Sequence, residues 1–364
     1  MRLTSVEIRD FRSIFPDDAG TPLRLDLAAG VNTLVGPNNC GKSNVLRAIS
    51  LALDPGHQLD VDIDPPGPRS FAHPIITLTF EANRDDPSQA AVLDAADAYE
   101  QSVGTPADAT RASRGEVAFQ VAFVPRPGGV DRVERILTPA GGSGPNPSQH
   151  QPLLDAAIER LRESVRFVLI SSGESIESVL EGNFREILHS VVRERLEAEF
   201  GQAEQSRQGY IDGLKDSLLG PLRDTLIGDV QGLFPEVESI RLSPEVSTIE
   251  DTLSRVGVSV DDLVSTPLAD KGTGVRGGLL VAMLSYLASN ASHGMVFALE
   301  EPEAFLHPAA QESLRDHLER VAASPAVSLL VTSHSPFIVT RSPTGRIFCL
   351  AKDGEGRTRV AETA

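Results

Sequence analysis

The segment VNTLVGPNNCGKSNVLRAISLAL (residues 31–53) is the part of the chain whose reading decides the fold. It opens with an apolar run, VNTLVG (31–36), that reads as a short strand, and closes with apolar residues at helical spacing. Between them, GPNNCGKS (Gly36–Ser43) meets GxxxxGK[ST] at every fixed position. Glycine at 36 and 41 frees the backbone to turn successive N–H groups toward one anion. A helix starting near Lys42 aims the positive end of its dipole at the same point. Lys42 then reaches the β- and γ-phosphates of a nucleotide, and the Ser43 hydroxyl ligates Mg²⁺. The alternative, a chance glycine-rich turn before a helix, explains neither the strand before the loop nor the amphipathic helix after it. The expected phosphate-binding set is Gly36, Pro37, Asn38, Asn39, Cys40, Gly41, Lys42, Ser43 and Asn44.

Two later strands end in chemistry suited to that loop. MVFALEEPE (295–303) is an apolar strand that finishes in paired carboxylates. A strand buried in a parallel sheet delivers its last side chains to the carboxyl edge, where phosphates bind. Glu300 is the candidate for the Mg²⁺ shell and Glu301 the candidate base for an attacking water. VSLLVT (327–332) leads into Ser333-His334-Ser335-Pro336, and His334 is the candidate contact to the γ-phosphate. Taken singly, each has a bland reading: an acidic helix cap for the carboxylates, a surface or packing residue for the histidine.

Composition narrows the class. The 364 residues carry 40% hydrophobic side chains and a net charge of −18. That suits a globular protein with a large core and argues against non-specific nucleic-acid binding over the whole surface. A local basic groove stays open, with Arg9, Arg12 and the Arg160–Arg166 segment as its candidates. Two cysteines, Cys40 and Cys349, supply no disulfide framework and suit a reducing compartment. The most apolar long stretch, 279–299, is interrupted by Ser285, Asn290, Ser292 and His293, so no membrane span and a cytoplasmic protein are expected.

Strands are expected at 3–11, 23–27, 74–81, 116–125 and 131–138, with 116–125 alternating as in a half-buried antiparallel sheet. From 152 to about 234 the pattern reads as helical. Helix 308–322, strand 327–332 and a hairpin around Asp353-Gly354 close the chain. This divides it into 1–151, an N-terminal lobe with the phosphate loop and β-sheet; 152–265, a helical and mixed insertion suited to dimerisation; and 266–364, a C-terminal lobe. The acidic run DVDID (60–64) lies in a Pro/Gly-rich loop and reads as a solvated loop rather than a metal cluster.

The order GPNNCGKS, KGTGVRGGLL, LEEPEAFLHP and TSHSP resembles the ABC-type P-loop ATPases of the RecF/SMC/OLD group. EEPE followed by LHP, with Glu first, is most similar to the OLD (overcoming lysogenisation defect) family, as is the opening LTSVEIRDFRSI. The resemblance covers about 1–81 and 266–350. It implies an α/β fold: an ABC-type ATPase core with an antiparallel β lobe and an inserted helical region. It also implies ATP and Mg²⁺ as cofactors, Glu301 and His334 as catalytic residues, and an ATP-sandwiched homodimer or higher homo-oligomer. Thr273 and Gly274 fall where the family's signature motif begins its helix and would complete the partner's nucleotide site. KGTGVR departs from LSGGQ, and Gln58 is the nearest glutamine for a glutamine loop.

Full OLD proteins continue into a TOPRIM-type nuclease domain, whereas 30 residues follow His334 here. The expectation is an AAA-family ATPase that acts as a switch or motor on a separate effector, a nuclease by analogy, in anti-phage defence or DNA repair. DNA is an open partner. A transporter ATPase subunit and a non-hydrolysing nucleotide-gated scaffold are the alternatives.

Overall fold

A computed structural model describes residues 1–54, 56–61, 63–65, 73–139, 147–172, 197–221, 223, 259–261, 265–267, 293–304 and 306–361. In chain order the first elements are β1 (Arg2–Arg9), β2 (Leu23–Asp26), β3 (Val31–Val35), α1 (Lys42–Leu53) and β4 (Ile75–Glu81). Next come α2 (Pro87–Ser102), β5 (Glu116–Arg126), β6 (Gly129–Ile136), α3 (Pro147–Ser164) and β7 (Val165–Ile170). Then follow α4 (Glu197–Leu214), β8 (Ser259–Asp261) and β9 (Ser265–Pro267). The chain closes with β10 (Gly294–Glu300), α5 (Pro308–Ala322), β11 (Val327–Thr332), β12 (Arg346–Lys352) and β13 (Thr358–Val360).

The chain forms two compact units, Met1–Ile176 with Leu268–Ala364, and Glu177–Pro267 between them in sequence. In the first unit an antiparallel sheet has the order β2-β1-β4-β5-β6. Strand β4, IITLTFE, alternates: it buries Ile76, Leu78 and Phe80 and turns its threonines to the other face, whereas β5 buries Val117–Phe119 and Val121–Phe123 in runs of three. The second sheet has the order β13-β12-β3-β11-β10-β7, with β12, β3, β11, β10 and β7 parallel. β10 and β11 are buried along their whole length, which explains their unbroken apolar runs.

Helix α1 packs against strands of both sheets. Val45, Leu46, Ala48, Ile49, Leu51 and Ala52 are all at most 1% exposed, so this helix is apolar around much of its circumference. Burying Leu46 and Ile49 contributes about 1.5–3 kcal/mol each. A cross-link between the sheets comes from the Leu3 N–H, which donates to Ser328 Oγ at 2.8 Å. In the second unit the described residues form α4 and the two-stranded antiparallel pair β8–β9.

Two sequence expectations change. Residue 152 lies inside α3, and the strand β7 follows it directly, pairing with β10 at the edge of the parallel sheet. The segment from 152 to 170 therefore belongs to the first unit and is not helical throughout. Asp64 is 1% exposed and its Oδ1 accepts from Arg12 Nε at 2.9 Å, so the end of DVDID is a buried anchor and not solvated. Within the expected helical region, residues 173–196 lie outside the described residues, as does the segment 271–280.

Candidate nucleotide site

The phosphate loop leaves β3 at Val35 and enters α1 at Lys42. Its glycines are needed for space as well as for backbone angle. Gly36 has φ 150°, and a Cβ there would sit 2.1 Å from Leu350 O. Gly41 has φ 106°, and a Cβ there would sit 2.2 Å from Thr358 Oγ1. Asn39, at φ 61°, supplies a further left-handed turn, and Pro37, Asn38 and Asn39 are exposed at the apex. No side chain caps α1, so the N–H groups of its first turn face the loop as anion donors. Lys42 is 5% exposed, and its Nζ donates to Gly36 O at 3.0 Å and Pro37 O at 3.1 Å. Cys40 is buried beside Gly36.

A directed chain of hydrogen bonds braces the loop from outside. Asn44 Nδ2 donates to Ser13 Oγ (2.9 Å), Ser13 Oγ lies 2.7 Å from Thr358 Oγ1, and Thr358 Oγ1 donates to Cys40 O (2.9 Å). The Thr358 hydroxyl spends its proton on Cys40, so Ser13 is the donor between the two hydroxyls. Arg12 Nη1 reaches Asn44 Oδ1 at 3.5 Å. The Asn44 side chain is thus turned to the scaffold. Thr358 is 0% exposed, and the β12–β13 hairpin that carries it is closed by Arg357, which pairs with Asp353, Asp18 and Glu355. Burial pushes Asp353 upward, but the Arg357 side chain and neighbouring backbone N–H groups outweigh it, bringing Asp353 down to about 2.

The acid pair lies two strands away, at the end of β10, with His334 just past the intervening β11. Glu300 is 6% exposed; its Oε2 accepts from Ser172 N at 3.4 Å, and its Oε1 has no hydrogen-bond donor. Arg47 of α1 approaches that oxygen to 3.8 Å, a loose ion pair too long for a hydrogen bond. This contact ties the phosphate-loop helix to the acid strand. Glu301 has φ 45°, a left-handed backbone held by its N–H donating to Thr332 O at 3.0 Å and lying 3.1 Å from Thr332 Oγ1. Such a conformation costs about 1–3 kcal/mol and persists where the surroundings enforce it. The Glu301 carboxylate lies 3.4 Å from His334 Nε2, both side chains being partly exposed.

The parallel order β3-β11-β10 thus brings together the loop 36–44, His334 and the pair Glu300–Glu301 along one carboxyl edge. Thr273 and Gly274 lie outside the described residues, and Gln58 is exposed on the loop after α1. Ser13, Arg47, Thr358 and Glu303 are residues at this site that sequence reasoning passed over. For Ser13 and Thr358 no local signal exists, because they are 345 positions apart. Arg9, Arg160, Arg162 and Arg166 are each engaged in hydrogen bonds, to Gly20 O, Glu163, Glu134 and Arg162 O respectively.

The chain is 23% identical to the Old nuclease of Escherichia phage P2, over 98% of this chain and 60% of that protein. It therefore spans about 60% of the length of that relative. Among solved structures, an SMC head bound to the C-terminal winged-helix domain of ScpA superposes with a TM-score of 0.53 at 14% identity, covering 100% of this chain and 98% of that one. An SMC head with an extended coiled coil, bound to the C-terminal domain of ScpA derived from Pyrococcus furiosus, gives 0.52 at 14% identity, covering 100% and 96%. These heads share the fold, an α/β core with an antiparallel lobe. The family described as "AAA domain, putative AbiEii toxin, Type IV TA system" matches residues 31–340, and the chain belongs to that family.

Proposed function

We propose that the chain binds ATP with Mg²⁺ at the β3-β11-β10 edge and hydrolyses it to ADP and phosphate. The observation that carries this reading is the Arg47–Glu300 contact of 3.8 Å, which joins the phosphate-loop helix to the end of the acid strand. ATP phosphates would take the α1 N–H groups, and Lys42 would exchange the carbonyls of Gly36 and Pro37 for phosphate oxygens. Mg²⁺ fits here because Glu300 Oε1 is a buried anionic oxygen with no donor, with the Ser43 hydroxyl as second ligand. When bound, it supplies positive charge against the β- and γ-phosphate oxygens. Glu301 accepts the proton of the attacking water as the γ-phosphorus–oxygen bond to ADP breaks. His334, at 3.4 Å, orients the Glu301 carboxylate.

The same reading extends to a dimeric switch. A second copy would close each nucleotide site with Thr273 and Gly274, and closure around ATP would act on a separate effector, a nuclease by analogy with the relative's name, in phage defence or DNA metabolism. Among the described residues no helix is long and apolar enough to cross a membrane.

The test is ATP turnover by the purified chain with Mg²⁺. Glu301→Gln is expected to retain ATP and lose about 10³-fold in kcat, within the range for removing a general base. Turnover by Glu301→Gln at the wild-type rate would remove Glu301 from the mechanism.

A further inference from the structure

Glu303, the last residue of EEPE, sits in the turn after β10 and is 7% exposed. One of its oxygens, Oε1, accepts from two consecutive residues after β11: Ser333 Oγ at 2.5 Å and the His334 backbone N–H at 3.0 Å. Ser333 is itself 0% exposed, and its oxygen accepts the Ser335 N–H at 2.9 Å. The other oxygen, Oε2, is buried with no hydrogen-bond partner. Burying a carboxylate is costly, and a half-satisfied one more so. A neutral acceptor would hold the same loop at lower cost to stability. What the charge adds is strength, since bonds to an ionised acceptor are shorter and about twice as strong as neutral ones.

The turn Glu301–Glu303 therefore grips His334 at both ends. Glu301 meets its ring at 3.4 Å and Glu303 holds its backbone. We infer that Glu303 is a positioning residue that fixes the distance between the histidine ring and the catalytic carboxylate by anchoring the Ser333–His334 backbone to the acid turn. The inference rests on the ATPase reading above. Movement of the acid turn moves the histidine with it, so the two side chains keep their spacing when nucleotide binds. Glu303 touches no reacting atom and acts only through His334.

The experiment measures ATPase kcat and KM for wild type, Glu303→Gln, Ser333→Ala, His334→Ala and the double variant Glu303→Gln/His334→Ala. Glutamine keeps an accepting oxygen and removes the charge. Glu303→Gln is expected to lower kcat about tenfold with KM held within about threefold, and Ser333→Ala to do the same from the other side of the bond. In the His334→Ala background, Glu303→Gln is expected to change kcat by less than about twofold, because the residue it positions is gone. A merely structural role predicts an equal loss in both backgrounds, with KM rising in step, and that result overturns the inference. Thermal melts check that each variant is folded; if Glu303→Gln is not, Ser333→Ala in the two backgrounds decides. Wild-type turnover with an unaffected Glu303→Gln overturns this inference alone. Absence of turnover in the wild type overturns the ATPase reading and this one with it.

Discussion

The loop Gly36–Ser43 is braced from several sides, whereas the edge formed by Glu300, Glu301 and Glu303 keeps buried carboxylate oxygens without donors. In the loop, Lys42 is held by two carbonyls, Cys40 O by Thr358, and both glycines lie against neighbouring atoms with no room for a side chain. On the acid edge, Glu300 Oε1 and Glu303 Oε2 are buried without a hydrogen-bond donor, Glu300 having only the loose ion pair to Arg47, and Glu301 occupies a left-handed backbone. Each unsatisfied buried polar atom costs about 1–3 kcal/mol. Folding alone completes the first region. The second is left without donors to its buried oxygens, and in the proposed function a cation completes it.

The largest effect is expected where the braced region meets ligand. Lys42→Ala removes the ammonium that trades loop carbonyls for phosphate oxygens, and ATP affinity measured by calorimetry should fall about 100-fold, or about 3 kcal/mol. Affinity within threefold of wild type would mean that the helix N–H groups alone carry the phosphates. A test of opposite sign applies to the open region. Glu300→Gln discharges a buried oxygen that lacks a donor, so the nucleotide-free protein should become more stable by about 1 kcal/mol while the melting shift produced by ATP and Mg²⁺ shrinks. A less stable nucleotide-free variant would show that Arg47 already satisfies Glu300, and the contrast between the two regions would fail there. The smallest effect tests the brace itself. Thr358→Val keeps the shape and removes the hydroxyl, and KM for ATP should rise about fivefold with kcat unchanged, corresponding to about 1 kcal/mol. A loss in kcat instead would mean that the brace also shapes the acid edge.

These regions also differ in how far they can be read from sequence. The loop is contiguous, so its residue types and their spacing carry the geometry, and the strands β10 and β11 announce themselves as apolar runs ending in Glu and His. β7 is hidden by its neighbour. Leu154, Ala157, Ile158, Leu161, Val165 and Val168 continue a three- and four-residue spacing straight through the junction, so the helical period persists into residues that form a strand. Only the β-branched character of VRFVLI hints at the change. Asp64 looks like one more acid in a loop because its partner, Arg12, is 52 positions earlier. Glu303 stands inside a recognised motif, yet its role depends on a turn 31 residues further on. Polar partnerships of this kind follow from topology and leave no periodic trace.

The place of β3 in its sheet also bears on how a ribosome delivers this protein. Both hydrogen-bonded neighbours of β3 come late in the chain, β11 on one side and β12 on the other. The Asn32 side chain reaches Leu329 O across 297 residues, and Cys40 O waits for Thr358. The first motif to emerge during synthesis is therefore among the last to be assembled, since loop closure over such separations is slow and has to await the strands that reward it. Nucleotide cannot serve as an early folding ligand for the nascent chain. Until residues 327–332 of β11 are out, the apolar strand Val31–Val35 has no partner on either side, and that interval exposes the growing polypeptide to aggregation.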